Sequence, residues 1–408
     1  MSERSNMMSY GSAQDSKDVG IRIHELRMLR GYSLSELGRR ANVSPSMLSR
    51  IERGSRVPSE QIVSAVARAL SVSVTVLHGQ PYIEQLRKDQ LDRVIAPLGV
   101  ALDDWDICPG PDDPAPRPLA QLGKEVRRVQ ALRTNAEYGE LAGRLPGLLG
   151  ELAHATLLRE APGADRELAY WLQTEAALGA FSVAYKFGYM DLARLALARM
   201  AAAAAQSGDP RQVAAERVKR VMLLAEGPAL ERGLRLVQQG LRDLDPDGTQ
   251  ETQAVRGGLI LKGLQLHGLR GDRTELEIWL EEARGVARET GETNHYLFVF
   301  GPTNVEQHAI EAAGDHDEHG LAVELSTSVR LPDGYPAARA GVYWIDTARS
   351  QALTARHDEA VHSLEKAKAV SPQQTRYHPT VRSTVGVLLR SRPRASDRLR
   401  AFAQWSGV

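Results

Sequence analysis

The sequence of 408 residues is poor in cysteine, lysine and aromatic side chains. Its one cysteine, Cys108, has no second cysteine to pair with, so an internal disulfide is excluded and a reducing cytoplasm is the expected compartment. Apolar residues nowhere run together over about 18 positions, the length that a membrane-spanning helix needs. Residues 1–17 lack the apolar stretch of a signal peptide, and we expect them to be disordered.

Motifs that would indicate an enzyme are also missing. The chain has no glycine-rich phosphate loop, no HExxH zinc pair and no nucleophile elbow. The segment DHDEH at residues 315–319 contains metal-ligand residue types. Consecutive residues do not converge on one face of a helix, however, and a position between two predicted helices favours a solvated turn. We therefore expect no catalytic site, no metal site and no cofactor.

Length and charge distribution indicate more than one domain. At roughly 150 residues per domain, the chain is long enough for two or three. Its formal net charge is zero, but residues 18–80 hold nine arginines and five carboxylates, an excess of four positive charges. A compact basic segment beside a mildly acidic remainder is typical of a nucleic-acid-binding head on a body that does not bind nucleic acid.

Residues 18–80 predict five short helices. Ser33 followed by Glu36 forms a capping box, and Ser44 followed by Pro45 places an N-cap before a proline at the first helical position. Between these two helices, Asn42 accommodates the left-handed backbone of a tight turn. The predicted helices span residues 19–29, 34–40, 45–53, 58–70 and 73–77. A second and third helix joined by a three-residue turn predict a helix-turn-helix domain.

Residues 33–77 resemble the phage-repressor and Cro-like family, also called the xenobiotic-response-element (XRE) type. The matching features occur in the family's order and are Arg27, Leu37, Val43-Ser44, Ile51-Glu52-Arg53-Gly54, Pro58 and Ala69-Leu70. Two positions depart from the pattern, Gly38 where the family favours alanine and Asn42 where it favours glycine. The resemblance implies DNA binding, and it implies that Glu52 turns inward to pair with Arg27.

The third predicted helix would be the recognition helix, which lies in the major groove of DNA. Its outward positions are Pro45, Ser46, Ser49, Arg50 and Arg53, and its inward positions Leu48 and Ile51 pack with Leu37. Arg50 has the forked donors that bind O6 and N7 of guanine. Contacts with the phosphate backbone are expected from Ser33, Ser44, Arg39, Arg40, Arg53 and Arg56.

The remainder of the chain predicts a linker and a helical repeat array. Residues 81–118 read as one more helix followed by a proline-rich linker, and residues 119–408 as repeated helix pairs. Helix breakers recur at Gly188, Gly227, Gly271, Gly314 and His357, with separations of 39 to 44 residues. Three predicted pairs are 249–271 with 272–290, 299–314 with 317–330, and 337–356 with 358–370. Residues 348–372 resemble a tetratricopeptide repeat, so the predicted fold is all-α, a five-helix head plus a C-terminal α-solenoid.

A solenoid presents a concave face to a ligand, and the first helices of the repeats supply the candidate residues. These are Asn304, Gln307, Arg339, Tyr343 and Asp346. The sequence thus predicts a cytoplasmic transcription regulator that binds a palindromic operator in double-stranded DNA as a homodimer, with the solenoid serving dimerisation and the sensing of a peptide or small molecule. The alternative is an interaction scaffold or adaptor that uses the head for recruitment. Neither function involves a membrane.

Overall fold

The structure is a computed structural model that describes residues 19–24, 26–28, 32–70, 72, 74–77, 88–108, 110, 112–224, 229–245, 247–391 and 396–408. The predicted disordered segment 1–17 lies outside these residues. The all-α prediction is confirmed: within the described ranges, β pairing is limited to an isolated antiparallel bridge between Thr293 and Phe300. Of the helices described, none is both long enough and apolar enough to cross a bilayer.

The head consists of five short helices around an apolar core of its own. They are α1 (residues 19–24 and 26–28), α2 (Leu34–Ala41), α3 (Pro45–Glu52), α4 (Glu60–Ala69) and α5 (Val74–Leu77). Ile23, Leu37, Leu48, Ile51 and Leu70 are fully buried in this core. The head core is a cluster separate from the apolar clusters of the remaining chain, so the head is a distinct packing unit.

Sixteen further helices follow in the described part of the chain. They are α6 (Lys88–Asp103), α7 (Leu119–Thr134), α8 (Tyr138–Leu157), α9 (Ala164–Phe187), α10 (Met190–Ala204), α11 (Pro210–Met222), α12 (Ala229–Asp243), α13 (Gln250–Arg270), α14 (Arg273–Thr290), α15 (Pro302–Asp315), α16 (His319–Ser328), α17 (Ala337–Leu353), α18 (His357–Val370), α19 (Pro372–Tyr377), α20 (Pro379–Ser391) and α21 (Asp397–Ser406). Each helix from α9 to α18 packs against its neighbour in sequence, as expected of a solenoid.

The three predicted helix pairs correspond to α13 with α14, α15 with α16, and α17 with α18. Small side chains hold the last pair together, since Ala348, Ala352, Ala360 and Ala367 are all buried between its helices.

Some predicted helix breakers lie at helix ends, and others do not. Gly188 and Gly271 end α9 and α13 in the left-handed conformation. The prediction was wrong for Gly314, which lies inside α15, and for His357, which is the first residue of α18. Non-glycine residues, Asp317 and Ala355, take the left-handed backbone of these two turns. Gly227 lies outside the described residues.

The segment between head and repeats is tied to the repeat array at both ends. Ile95, Leu98 and Leu102 of α6 pack in the large apolar cluster of the repeats, upstream of the boundary that the sequence predicts at residue 119. At the end of the proline-rich segment, the side chain of Arg117 donates to both carboxylate oxygens of Glu151, at 2.6–3.0 Å. The linker is therefore anchored on α8 shortly before α7 begins.

The repeat array curves until its two ends meet. Helix α17 contacts α7, the first helix of the array. The buried hydroxyl of Tyr138 at the start of α8 donates to Oε1 of Gln374 in α19 at 3.3 Å, and the Gly139 amide donates to Oε1 of Gln373 at 3.4 Å. The helices α7 to α19 thus form a closed ring. Charged side chains of α7, α9, α11, α13 and α17 lie close enough to one another to shift each other's pKa values, and we call the side of the ring on which they lie its inner side.

Candidate nucleic-acid interface

Local capping chemistry positions the two helices of the helix-turn-helix. Hydroxyl oxygens of Ser33 and Ser44 accept from the amides of Glu36 and Met47, at 3.1 and 3.3 Å, so each begins a helix. Asn42 ends α2 in the left-handed conformation, with φ of 52°. The two serines prefer the N-cap position and asparagine tolerates a positive φ, so these residues determine where α2 and α3 begin and how the turn between them runs.

Helix α3 has one buried face and one exposed face. Leu48 and Ile51 are fully buried, whereas Ser46, Arg50 and Arg53 are exposed. Ser46, Arg50 and Arg53 are spaced by four and three residues, which places them on one side of the helix. Pro45 is exposed at the helix start, and Ser49 is partly exposed on the same side. The outward residues predicted from the sequence therefore share one accessible surface, which we call the α3 face.

The two arginines of the α3 face are held loosely. Nε of Arg50 donates to the carbonyl of Ser46 at 3.3 Å, and Nε of Arg53 donates to the carbonyl of Ser49 at 3.1 Å. Both bonds are exposed and run back along the same helix. A DNA base or phosphate would replace them at small cost, because exposed hydrogen bonds contribute little net free energy.

Further arginines flank the α3 face. Arg39 and Arg40 at the end of α2 both bind Glu36, at 2.8 and 2.6 Å, and Arg40 also stacks on the ring of Tyr32, 4.4 Å from its centroid. Hydrogen bonds from these arginines lower the pKa of Glu36. Arg56, in the turn after α3, is exposed. Tyr32, which orients Arg40, was not predicted from the sequence.

A buried ion pair joins α1 to the end of α3. Nε and Nη2 of Arg27 donate to the two carboxylate oxygens of Glu52, at 2.7 and 2.8 Å. Nδ1 of His24 lies 2.9 Å from the same carboxylate, a contact that the sequence analysis missed. Burial alone would raise the pKa of Glu52, but hydrogen bonds from Arg27 and His24 outweigh it and lower that pKa. Glu52 therefore faces inward and stays charged.

The head rests on the repeat ring through α4, away from the α3 face. Arg68 forms an ion pair with Asp317 at 2.6 Å, and Nη2 of Arg349 donates to the buried hydroxyl of Ser64 at 3.0 Å. Arg349 also pairs with Asp315 at 3.3 Å. We call these contacts the head–ring clamp. They correct the expected solvated turn at residues 315–319, which instead carries two clamp residues because Arg68 of α4 and Arg349 of α17 lie against it.

The predicted ligand residues divide into two groups. Gln307, Arg339 and Asp346 lie on the inner side of the ring, where Arg339 Nη2 is 3.2 Å from His308 Nδ1. Asn304 is nearby but its amide donates to the carbonyl of Val299. Tyr343 was wrongly placed on the inner face: its ring is buried in an apolar cluster, and its hydroxyl donates to the Ser326 carbonyl at 2.9 Å. Among the described residues, no group of three or more histidine, cysteine or carboxylate side chains has metal-site geometry.

Comparison with known proteins places the head in a family. A family model described as helix-turn-helix matches residues 23–77. The HTH-type transcriptional regulator SinR of Bacillus subtilis is 47% identical over 60 residues, which are 14% of this chain and 54% of SinR, so the chain spans about half the length of that relative. The transcriptional regulator ClgR of Mycobacterium tuberculosis is 35% identical over 83 residues, covering 20% of this chain and 73% of ClgR.

A structural comparison also found a similar solved chain. It is Bacillus thuringiensis PlcR in complex with the peptide PapR7 and DNA, at 15% sequence identity and a TM-score of 0.32, with 76% of this chain and 95% of that chain covered. From the matched head and the geometry of α2 and α3, the chain belongs to the helix-turn-helix family of transcriptional regulators, of the Cro and phage-repressor (XRE) type.

Proposed function

We propose that the protein is a sequence-specific DNA-binding transcription regulator and that α3 is its recognition helix. The observation that carries the proposal is the exposed α3 face, which remains accessible while the head is docked on the ring through α4. Arg50 is the base-reading residue in this proposal, since a bidentate contact with guanine discriminates by about 1–3 kcal/mol. Ser46 and Ser49 contact neighbouring base edges or phosphates.

The phosphate contacts come from the residues around the α3 face. The N-termini of α2 and α3, capped by Ser33 and Ser44, offer backbone amides to phosphate oxygens. Arg39, Arg40, Arg53 and Arg56 add positive charge along the backbone. Because such contacts release counterions, the affinity falls steeply as the salt concentration rises.

The protein acts as a homodimer in this proposal. One short helix reads too few base pairs for a unique site, and two heads about 34 Å apart would read a palindromic operator. The ring supplies dimerisation and binds a peptide or small-molecule effector. An effector alters DNA binding if it favours one placement of the heads over another. The head–ring clamp supports such coupling, because a few polar contacts from Arg68 and Arg349 hold the head in place.

Genome-wide footprinting of the tagged protein tests the proposal. We expect discrete protected sites that contain a palindrome, and at least tenfold weaker binding to them by the Arg50→Ala variant. Arg232→Ala, which removes an exposed arginine on α12, is the matched control and should leave the sites unchanged. If no site is protected and the protein instead co-purifies with a stoichiometric protein partner, the adaptor function replaces this one.

A further inference from the structure

Five cationic side chains converge on the inner side of the repeat ring. They are Arg133 of α7, Lys186 of α9, Lys219 of α11, Lys262 of α13 and Arg339 of α17. All five are partly exposed by surface area, and Arg133, Lys186, Lys219 and Lys262 lie deep within the protein. Arg339 is close enough to the three lysines to lower their pKa values, and we call the space that the five side chains face the inner groove. Their helices are the alternate, inward-facing ones, and closure of the ring brings α7 and α17 together.

The polar contacts of Lys219 and Lys262 are to neutral groups. Nζ of Lys262 donates to Oε1 of Gln265 at 2.8 Å, and Nζ of Lys219 lies 4.5 Å from the ring centroid of Phe298. Within the described part of the chain, none of the three lysines forms an ion pair with a carboxylate. Within the described residues, ion pairs with carboxylates therefore do not offset the positive charge of these three lysines.

The pKa values follow from this arrangement. Burial and the neighbouring cations lower the pKa of Lys186 to about 8, and burial lowers that of Lys262 to about 8. Burial, with Arg133, Lys262 and Arg339 close by, lowers the pKa of Lys219 as well. The carboxyl groups nearest to the cluster, Glu175, Glu311 and Asp346, have raised pKa values because they are buried, about 8 for Asp346. These carboxyl groups thus supply less negative charge than their number suggests.

Uncommitted amides lie beside the cations. Gln307 is 4% exposed, and within the described residues neither atom of its amide has a hydrogen-bond partner. Gln212 is fully buried and donates to Glu175 at 2.8 Å, while its own Oε1 has no partner among the described residues. Buried polar atoms without partners are costly and uncommon, so these amides indicate a place for a polar ligand.

We propose that the inner groove of the ring binds an anion with two or more carboxylate or phosphate groups, held by Arg133, Lys186, Lys219, Lys262 and Arg339. The proposal rests on the proposed effector-binding function of the ring and names the chemical class of the effector. Anionic oxygens would accept short, charge-assisted hydrogen bonds from these donors and offset the repulsion among them. The amide of Gln307 would then bind the uncharged polar part of the ligand.

The groove is continuous with the clamp side of the ring. The side-chain amide of Gln265 connects Lys262 to Glu311: its Oε1 accepts from Nζ of Lys262, and its Nε2 donates to Oε1 of Glu311 at 3.5 Å. Glu311 in turn lines a cleft that the head residues Ala67, Arg68 and Val74 close from the other side. An anion that draws Lys262 towards itself would therefore disturb contacts next to the docked head.

Thermal unfolding and titration calorimetry with citrate and with pyrophosphate test the proposal. We expect each anion to raise the Tm of the full-length protein, because binding to the folded state alone stabilises it. Lys219→Met should weaken binding about tenfold or more, since it removes a charged donor. Lys124→Met, which removes an exposed lysine on α7, should bind as the unmodified protein does. Spermidine, a cation, should not bind.

Two outcomes contradict the proposal: neither anion raises the Tm, or Lys219→Met binds both as tightly as Lys124→Met. Without anion, Lys219→Met should unfold at the same temperature as the unmodified protein or at a higher one, because it removes a buried positive charge that lies beside other positive charges. A lower Tm would show that the protein itself balances the charge of Lys219, and would also contradict the proposal. Failure of the unmodified protein to bind any operator would overturn the DNA-binding proposal alone.

Discussion

Replacing Glu52 by glutamine should destabilise the head strongly, because the substitution keeps the shape of the side chain and removes its charge. The side chains of Arg27 and Glu52 are only 9% and 6% exposed. Breaking a buried ion pair by changing one partner costs about 3–5 kcal/mol, since the other charge stays buried without compensation. Arg27 keeps a 2.8 Å bond to the Tyr32 carbonyl, so we expect the lower end, about 3 kcal/mol.

Hydrogen–deuterium exchange of the full-length protein measures this effect. Amides of α3 and α4 should exchange roughly a hundredfold faster in Glu52→Gln, if they exchange through opening of the head. Glu36→Gln is the matched control: Glu36 is 32% exposed in its pairs with arginine, and exposed pairs contribute about 1 kcal/mol or less.

The pH dependence of the same measurement has a definite sign. Because the pKa of Glu52 is lowered in the folded head, its contribution is present above the pKa of the unfolded chain and is lost as the pH falls through the folded pKa. The difference between Glu52→Gln and the unmodified protein should therefore shrink under acidic conditions. The reasoning would be refuted if Glu52→Gln exchanged no faster than Glu36→Gln, or if the double variant Arg27→Met/Glu52→Leu were no more stable than Glu52→Gln.

Three further predictions concern other parts of the molecule. Gly38→Ala should lower the Tm measured by calorimetry, because an added Cβ would lie 2.5 Å from the Val43 carbonyl oxygen. The matched change Gly139→Ala lies in open space on α8 and should raise the Tm or leave it unchanged. Arg349→Met should weaken head docking and increase exchange of α4 amides without changing exchange within α9; unchanged α4 exchange would refute a role in docking. Citrate affinity should fall as the pH rises through about 8, because Lys186 and Lys262 lose their charge while Asp346 gains one, and a flat titration profile would count against the cationic groove.

Local chemistry explains why the helix-turn-helix was predictable from the sequence. Ser44 followed by Pro45 determines where α3 begins, and Asn42 tolerates the positive φ that the preceding turn requires. The same reasoning fails at Ala355, which has no such preference and adopts the left-handed conformation because the helices on either side pack. Asp317 does tolerate this conformation, but the prediction assigned its turn to Gly314, as it assigned that of Ala355 to His357.

Long-range contacts account for most of what the sequence could not predict. The pair formed by Arg68 and Asp317 joins an exposed position on α4 to the turn between α15 and α16, and nothing in the sequence around either residue indicates the other. Tyr343 and Asp346 are three positions apart on α17, yet Tyr343 packs in the apolar core and Asp346 lies among the charges of the groove. Their separation depends on how the ring closes, which periodicity along one helix does not encode.

Methylation interference at guanine N7 on a protected operator tests the central claim most directly, since N7 is an acceptor that Arg50 would bind in the major groove. The account predicts one or more guanines in each half-site whose methylation blocks binding, in two groups one helical turn or a multiple of a turn apart, and loss of that interference in Arg50→Ala. Binding that is indifferent to N7 methylation, or interference that is identical in Arg50→Ala, would contradict it.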